Sequence, residues 1–246
     1  MFAGDQAQRW RRPYSPRFDL KLLISAGFVG STKRIHTFAN TVRFFHMGIA
    51  ERKLRQKEEV RTSILKAAWQ LVKEDGWQAL SIRKIADAIE YSVPVIYDHF
   101  ENKEAILLEF TKRGFRELNQ ELEKARDSFK NPEQQIEAMA YAYWHFAFNN
   151  REYYQLMYGL GMPGCETVKQ IAELHTFTEL ISGPIRALIN KSDKKDADPF
   201  LKLHTFWSAL HGLISINMMG SQKSRDELNA MVLKDFIIGF ISGIKT

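Results

Sequence analysis

The stretch Ser81–Lys103, SIRKIADAIEYSVPVIYDHFENK, decides the fold of the region around it. Ser81, Ser92 and Asn102 are residue types that favour the N-cap position, because their side-chain oxygens accept a hydrogen bond from a first-turn backbone N–H group. Apolar residues at helical spacing follow each of them. The stretch therefore predicts two short helices joined by a tight turn, and then the start of a longer helix. This order is typical of a helix-turn-helix.

The two short helices are predicted to pack closely against each other. In the first, the small side chain of Ala86 lets the second helix cross nearby. The second has Pro94 in its first turn, where a missing N–H costs nothing, and buries Ile96 and Phe100. The remaining positions point outward: Val93, Val95, Tyr97, Asp98 and His99. This short face fits a DNA major groove, although two packed short helices also occur in proteins that bind no DNA.

A longer pattern of residues surrounds this stretch. It reads Arg61-x-x-Ile64-Leu65-x-Ala67-Ala68, Gly76, Ser81-Ile82-x-x-Ile85-Ala86, Ser92, Tyr97-x-His99-Phe100 and Asn102-Lys103-Glu104. The pattern resembles the N-terminal signature of the TetR/AcrR family of transcriptional regulators. Trp207-x-x-x-His211-Gly212 also resembles the Trp-His-Gly element of one C-terminal domain class in that family. The resemblance implies an all-α homodimer that binds a double-stranded DNA operator and responds to a small-molecule effector, most simply as a repressor.

The same resemblance implies which residues position the protein on DNA. Tyr97 and His99 would donate hydrogen bonds to phosphates on either side of the groove. Lys103 would add a positive charge at a helix N-terminus, which already attracts anions. Ser92 would either cap its helix or contact a phosphate.

Base recognition is assigned to other positions. Val93, Pro94 and Val95 match the base-facing turn of the family, and their apolar surfaces can contact only thymine methyl groups. Arg83 is therefore the candidate for recognition of guanine, since an arginine can form two hydrogen bonds with that base.

The tight turn departs from the family pattern. The family usually has Ala-Gly-Val-Ser where this chain has Ile89-Glu90-Tyr91-Ser92. Glu90 thus occupies a position at which glycine often adopts a positive φ. We expect this turn to be strained or to have a different shape.

Composition and length indicate a globular protein with a sizeable core. The chain has 246 residues, of which 45% are hydrophobic, and this is enough for one large domain or two modest ones. Its single cysteine, Cys165, cannot form an internal disulfide, which fits a reducing compartment. No run approaches the roughly 18 apolar residues that a membrane span requires. We therefore predict a cytoplasmic protein without a membrane partner.

The net charge of +6 is concentrated at the N-terminus. Residues 1–46 contain eight Lys and Arg residues against two Asp residues, so the rest of the chain is neutral overall. Pro13, Pro16, Gly27 and Gly30 interrupt any helical period there. We predict a disordered extension or a misplaced start codon, with a basic DNA-contacting arm or a transit peptide as alternatives. The predicted domains are residues 1–46 as this extension, 47–100 as the DNA-binding head and 101–246 as the ligand-binding and dimerisation body.

Helical periodicity continues through the head and the body. The predicted helices run over about Glu51–Asp75, Asn102–Phe129, Glu133–Asn149, Glu166–Asn190, Pro199–Met219 and Ser224–Ile244. The last two are apolar and contain small residues that permit close approach, which favours an intersubunit four-helix bundle. The core of a monomer would show a similar pattern.

Aromatic residues are unusually dense between Pro132 and Tyr158. Packing alone explains many of them, but Tyr and His side chains need polar partners when buried, which suggests a partly apolar cavity. Our candidate effector-binding residues are Tyr143, Phe146, Tyr154, Met157, Phe177 and Trp207. The predicted effector is apolar or aromatic.

Motifs for catalysis, cofactors or metals are weak in this sequence. The run Gly159-Leu-Gly161-Met-Pro-Gly164 matches G-x-G-x-x-G, but a helical pattern precedes it instead of the strand that a dinucleotide site requires. His204 and His211 could share a helix face, yet no carboxylate or thiol stands at a diagnostic spacing for a metal. We predict no catalytic residue, cofactor or metal. A non-DNA helical interaction module or a small all-helical enzyme remains the alternative.

Overall fold

The computed structural model describes residues 32–158, 171–192, 197–218 and 226–245, with side chains from Gly48 onward. The described part is all-helical, which confirms the predicted fold class. The helices are α1 (Thr32–Asp75), α2 (Ile82–Ala88), α3 (Val93–Tyr97), α4 (Lys103–Asp127), α5 (Pro132–Asn149), α6 (Arg151–Tyr158), α7 (Ala172–Lys191), α8 (Pro199–Met218) and α9 (Asp226–Lys245). None of them is long and apolar enough to cross a membrane.

Backbone contacts divide the chain into two units, Met1–Arg55 and Gln56–Thr246. Helix α1 continues through this boundary, and α2 to α9 belong to the second unit. The helix begins at Thr32, so the predicted start at about Glu51 is wrong. All the breakers named for residues 1–46 precede Thr32, and their effect is local.

Capping residues set the bounds of α2 and α4 as predicted. The Ser81 Oγ accepts a hydrogen bond of 3.2 Å from the backbone N–H of Lys84, and the Asn102 Oδ1 accepts one of 2.8 Å from that of Ala105. Ser92 precedes α3, but its side chain makes no capping hydrogen bond. Helix α3 is short and ends at Tyr97, and both Ile96 and Phe100 are buried as predicted.

A compact apolar core supports the two short helices. Its buried members from α1 to the residues just after α3 are Ile64, Leu65, Ala68, Val72, Trp77, Leu80, Ile85, Ala86, Ile96 and Phe100. Burial of one such large side chain contributes about 1.5–3 kcal/mol relative to exposure. The core therefore fixes the orientation of α3 relative to α1 and α2.

The turn between α2 and α3 is a Schellman motif. The backbone N–H of Tyr91 bonds to the carbonyl of Ala86 at 3.0 Å, and that of Glu90 bonds to the carbonyl of Asp87 at 3.2 Å. Glu90 has a φ of 58°, in the left-handed region that favours glycine. The turn therefore has the standard shape of a glycine-terminated helix, and the expected strain lies at Glu90.

Substituting glycine at this position should stabilise the protein. The left-handed conformation destabilises an L-residue by about 1–2 kcal/mol, and glycine avoids this strain. Glycine also loses more backbone entropy on folding, which offsets about 0.5–1 kcal/mol of that gain. We expect Glu90→Gly to raise Tm by about 2–4 °C for a chain of this size, measured by differential scanning calorimetry. Glu90→Ala is the control and should give no increase. A decrease in Tm for Glu90→Gly would contradict the assigned strain.

Helix α4 connects the helix-turn-helix to the remaining helices. Its buried face includes Phe110, Phe115, Leu118 and Leu122 and packs against α5, α6 and α7. At Gly114, an added Cβ would lie 2.6 Å from the Sδ of Met157 in α6. The glycine thus permits α4 and α6 to pack closely at this point.

Candidate DNA-binding surface and effector site

The predicted DNA-binding residues lie around α2 and α3 with different degrees of exposure. Arg83, Ser92 and Pro94 are exposed, and 51% of Tyr97 is exposed. Val95, His99 and Lys103 are partly buried. Val93 is partly buried and packs against the core, so less of its surface is free than the outward position predicted from the sequence implies.

Arg61 holds the chain just after α3 in place. Its guanidinium donates a 3.3 Å hydrogen bond to the backbone carbonyl of His99 and forms a 3.3 Å ion pair with Glu109 of α4. It also lies 4.2 Å from the centre of the Phe100 ring. Arg61 therefore links α1 to α4 and to the residues just after α3. Its positive charge is partly neutralised by Glu109.

One ring nitrogen of His99 is unavailable to DNA. The Nδ1 is buried and has no hydrogen-bond partner among the described residues. A contact from this side chain to a phosphate therefore has to come from Nε2.

The basic residues near α2 and α3 differ in whether an ion pair within the protein already neutralises their charge. Lys84 forms a 3.1 Å ion pair with Asp75. Arg83, the next residue toward the N-terminus, is exposed and forms no ion pair within the described ranges. Lys103 is the first residue of α4, where the backbone N–H groups of the first turn reinforce its positive charge. Arg83 and Lys103 thus keep their charges for an external anion or base.

Four of the six candidate effector residues meet in the helical body. With Tyr158 and His211 they form what we call the aromatic cluster: Tyr143, Tyr154, Tyr158, Phe177, Trp207 and His211. Neighbouring ring centroids within it lie 4.9 to 6.5 Å apart. Our sequence prediction did not include Tyr158 and His211 in the site. The Trp-His-Gly element was the signal that could have indicated His211, because it places this residue one helical turn after Trp207.

The other two candidates lie outside the cluster. Phe146 is buried and lines a separate cleft of about 430 Å³ between α4 and α5, together with polar residues that include Glu117 and His145. Met157 is fully buried against Gly114. The structure therefore does not bring all six predicted residues to one place.

Hydrogen bonds satisfy most of the polar atoms of the aromatic cluster. The Trp207 Nε1 donates to the Tyr143 hydroxyl at 3.2 Å, and the Tyr154 hydroxyl lies 2.6 Å from the His211 Nδ1. The hydroxyl oxygen of Tyr158 is buried and has no partner among the described residues.

Burial keeps the aromatic cluster uncharged. It raises the pKa of Tyr143, Tyr154 and Tyr158 above the usual range for tyrosine, and it lowers the pKa of His211. Desolvation is the main cause in each case, because a charged form would lose its hydration. The phenols and the imidazole are therefore neutral near pH 7.

Helix α6 contacts both the segment Trp69–Trp77 and the aromatic cluster. Its Glu152 carbonyl accepts a 2.7 Å hydrogen bond from the Trp77 Nε1, and its Glu152 carboxylate pairs with Lys73 at 3.1 Å. The Tyr153 ring stacks on Trp69 of α1 with centroids 4.3 Å apart. The next residue, Tyr154, belongs to the cluster. A shift of α6 thus changes contacts in both regions.

Other kinds of site find little support in the described part of the chain. Within it, no group of three or more His, Cys, Asp or Glu residues could hold a metal ion. The glycine-rich run 159–164 and Cys165 lie outside the described residues.

A helix-turn-helix joined by a long helix to a helical body defines a class of DNA-binding regulators. Two family models match this chain. Residues 64–118 match the model described as bacterial regulatory proteins, tetR family, and residues 136–235 match a tetracyclin repressor-like C-terminal domain. The chain belongs to the TetR family of transcriptional regulators. The proteins that share these domains are regulators of transcription and not enzymes.

Similar proteins agree with this assignment. An uncharacterised helix-turn-helix transcriptional regulator of Mycobacterium tuberculosis is 22% identical over 75% of this chain and 81% of its own. A TetR/AcrR-family regulator from Thermobifida fusca has a TM-score of 0.59 and 22% identity, covering 74% of this chain and 98% of that one. FadR from Bacillus subtilis, solved with stearoyl-CoA, has a TM-score of 0.58 and 16% identity, covering 75% and 97%. Because both identities are below 25%, these two structures support the fold alone.

Proposed function

We propose that the protein is a cytoplasmic, homodimeric repressor that leaves its operator when a small apolar or aromatic effector binds the aromatic cluster. Residues 47–100 form the head and residues 101–246 the body in this proposal. The main observation in its favour is that α6 contacts two regions at once. Glu152 and Tyr153 contact Trp77 and Trp69, and the next residue, Tyr154, belongs to the aromatic cluster.

The exposed surface of α2 and α3 supports DNA binding by the head. Tyr97, the Nε2 of His99 and Lys103 provide donors for phosphates, which position a protein without reading the sequence. Arg83 is free of ion pairs in the described structure and can form two hydrogen bonds with guanine. Pro94 and Val95 offer apolar contacts for thymine methyl groups.

The two last helices support dimerisation. Several large apolar side chains on α8 and α9 are exposed in a single chain: Phe200, Leu201, Ile216, Leu228, Met231, Val232 and Ile238. Large exposed apolar areas often mark interfaces between proteins. A twofold dimer would also supply the second head that an operator with two half-sites requires.

Release of the operator follows from differential binding. An effector that prefers a conformation with the two heads at the wrong spacing lowers operator affinity by its difference in affinity for the two conformations, often about 1–3 kcal/mol. The described contacts of α4 and α6 provide a route for that change from the cluster to the head. FadR from Bacillus subtilis, which has a similar fold, was solved in complex with stearoyl-CoA, and this supports the general idea that a regulator of this fold binds a small molecule.

Replacement of Arg83 tests the proposed reading of bases. Arg83→Ala should remove about 1–3 kcal/mol of discrimination at one base pair in each half-site, because an arginine–guanine pair is worth that much. Binding of the variant to a library of single-base operator mutants measures this. Arg186→Ala, which removes an exposed arginine from α7, is the matched control and should preserve the wild-type preference. An unchanged preference in Arg83→Ala would show that another residue reads the base.

A further inference from the structure

The hydroxyl group of Tyr158 lacks a partner in an otherwise well-paired environment. The Tyr158 ring contacts those of Phe115, Tyr154 and His211, with centroids 5.8, 4.9 and 5.0 Å away. Its hydroxyl oxygen is nevertheless buried without a hydrogen bond to any described residue. A buried polar group in this state is unfavourable, and native proteins retain few of them. An external group that bonds to this hydroxyl would remove the penalty.

The missing partner is best supplied by a hydrogen-bond acceptor. A phenol O–H is a good donor, while its oxygen is a weak acceptor because the ring withdraws a lone pair. The Trp207 Nε1 donates to the Tyr143 oxygen at 3.2 Å. Burial raises the pKa of Tyr158, and the donor groups of Tyr143 and Trp207 partly offset that rise by acting on its oxygen, although neither completes a hydrogen bond to it. The proton of Tyr158 is therefore the group that lacks a partner. A carbonyl oxygen has two lone pairs and can accept a hydrogen bond from the Tyr158 hydroxyl.

The described surroundings of the aromatic cluster offer no charge that would stabilise an ionised ligand. The hydrogen bonds and ring contacts of the aromatic cluster among described residues involve only aromatic side chains and Ser215. Among the described residues, no Lys, Arg, Asp or Glu influences the pKa of Tyr143, Tyr154, Tyr158 or His211, so none of them lies where it could pair with a charged ligand. An isolated charge would lose its hydration without compensation.

The partly exposed edge of the cluster provides access to Tyr158. Trp207 and His211 lie one turn apart on α8, and both are partly buried. Their rings contact Tyr158 at centroid distances of 6.0 and 5.0 Å. A flat ring that displaces one of these side chains can stack on the neighbouring aromatic faces and reach the hydroxyl.

The geometry points to a neutral, ring-containing effector with one accepting oxygen, of the aromatic ketone type, and to Tyr158 as the residue that donates to that oxygen. This inference rests on the proposed function, in which the cluster is the effector site. It adds the chemical class of the effector and the residue that selects it.

Three small probes of matched size test this specificity. Acetophenone has a ring and a carbonyl, ethylbenzene replaces the carbonyl with a methylene group, and benzoate carries a charge. Isothermal titration of the full chain should show acetophenone binding about tenfold more tightly than ethylbenzene, as expected for one hydrogen bond, with no detectable binding of benzoate. Failure of acetophenone to bind, equal binding of ethylbenzene, or tight binding of benzoate would overturn the inference.

Two tyrosine variants identify the donor. Tyr158→Phe retains the ring and should bring acetophenone to the affinity of ethylbenzene, without lowering Tm of the free protein, because no internal hydrogen bond is lost. Tyr153→Phe, five residues earlier and stacked on Trp69, is the control and should keep the preference for the ketone. If Tyr158→Phe keeps the preference as well, or unfolds at a lower temperature than the wild type, Tyr158 is not the unpaired donor.

A separate readout distinguishes this inference from the proposed function. Acetophenone is added to the protein bound to operator DNA, and the operator affinity is measured in a gel shift. Ketone binding that depends on Tyr158 but leaves operator affinity unchanged would sustain the inference and contradict the proposed role of the cluster in release. If acetophenone released the operator equally well from the Tyr158→Phe variant, the proposed role of the cluster would be supported and the inference about Tyr158 would be contradicted.

Discussion

Replacing Phe110 with alanine should lower the free energy of unfolding by about 3–5 kcal/mol, as is typical for removal of a buried aromatic ring. Phe110 is fully buried in α4. Its ring centroid lies 5.6 Å from that of Trp69 and 5.5 Å from that of Trp77. The ring thus fills the space between α4 and the C-terminal part of α1, and alanine would leave a cavity there. Urea unfolding followed by circular dichroism, at one fixed protein concentration, measures the loss.

Phe129→Ala makes the same chemical change at an exposed position just beyond α4. This side chain is 41% exposed, so its loss should cost no more than about 1 kcal/mol. If the two variants lost equal stability, the packing between α1 and α4 could not be as the structure has it.

The second large effect is expected at the DNA surface. Tyr97→Phe combined with Lys103→Ala should weaken binding to all DNA sequences by roughly 100-fold, because a dimer would lose four phosphate contacts worth about 0.5–1 kcal/mol each. The loss should not depend on sequence, since phosphate contacts carry no base information. Two lysines fewer per dimer should also reduce the slope of log affinity against log salt by about 2. Fluorescence anisotropy with specific and random duplexes measures both quantities.

A double variant in the body provides the control. Tyr141→Phe combined with Lys130→Ala removes the same groups, where Tyr141 lies in α5 and Lys130 is exposed between α4 and α5. This control should bind DNA like the wild type. A selective loss for the specific duplex in the Tyr97 and Lys103 variant would mean that these residues read bases and do not simply position the head.

Local signals in the sequence predicted the helix bounds well. Asn102 caps α4, and Pro132 and Pro199 open α5 and α8, because capping and the missing proline N–H act within one turn. The positive φ at Glu90 was also expected from the family pattern of the turn, and the structure confirms it. The start of α1 at Thr32 was missed because all of residues 1–46 were treated as non-helical. The prolines and glycines that interrupt a helix there all precede Thr32.

Long-range contacts could not be predicted in the same way. The hydrogen bonds from Trp77 to the Glu152 carbonyl and from Arg61 to the His99 carbonyl join residues far apart in sequence, and backbone acceptors leave no trace in residue type. Helix α6 also has apolar residues on opposite faces. Spacing alone could not tell that Tyr154 enters the aromatic cluster while Met157 packs against Gly114.

Helical periodicity had a similar limit for Phe146. It correctly indicated a buried residue, but α5 buries residues toward more than one neighbouring helix. The prediction therefore grouped Phe146 with Tyr143, although it lines the separate cleft beside Glu117.

The central claim is that the surface formed by α2 and α3 binds a specific DNA site as part of a dimer. A gel shift with the DNA that flanks the gene of this protein, repeated at about 50 and 200 mM salt with unrelated DNA as competitor, tests it most directly. We predict a specific complex that survives the competitor and whose affinity falls steeply with salt. Absence of any sequence-specific complex, or an affinity that does not change with salt, would contradict the account.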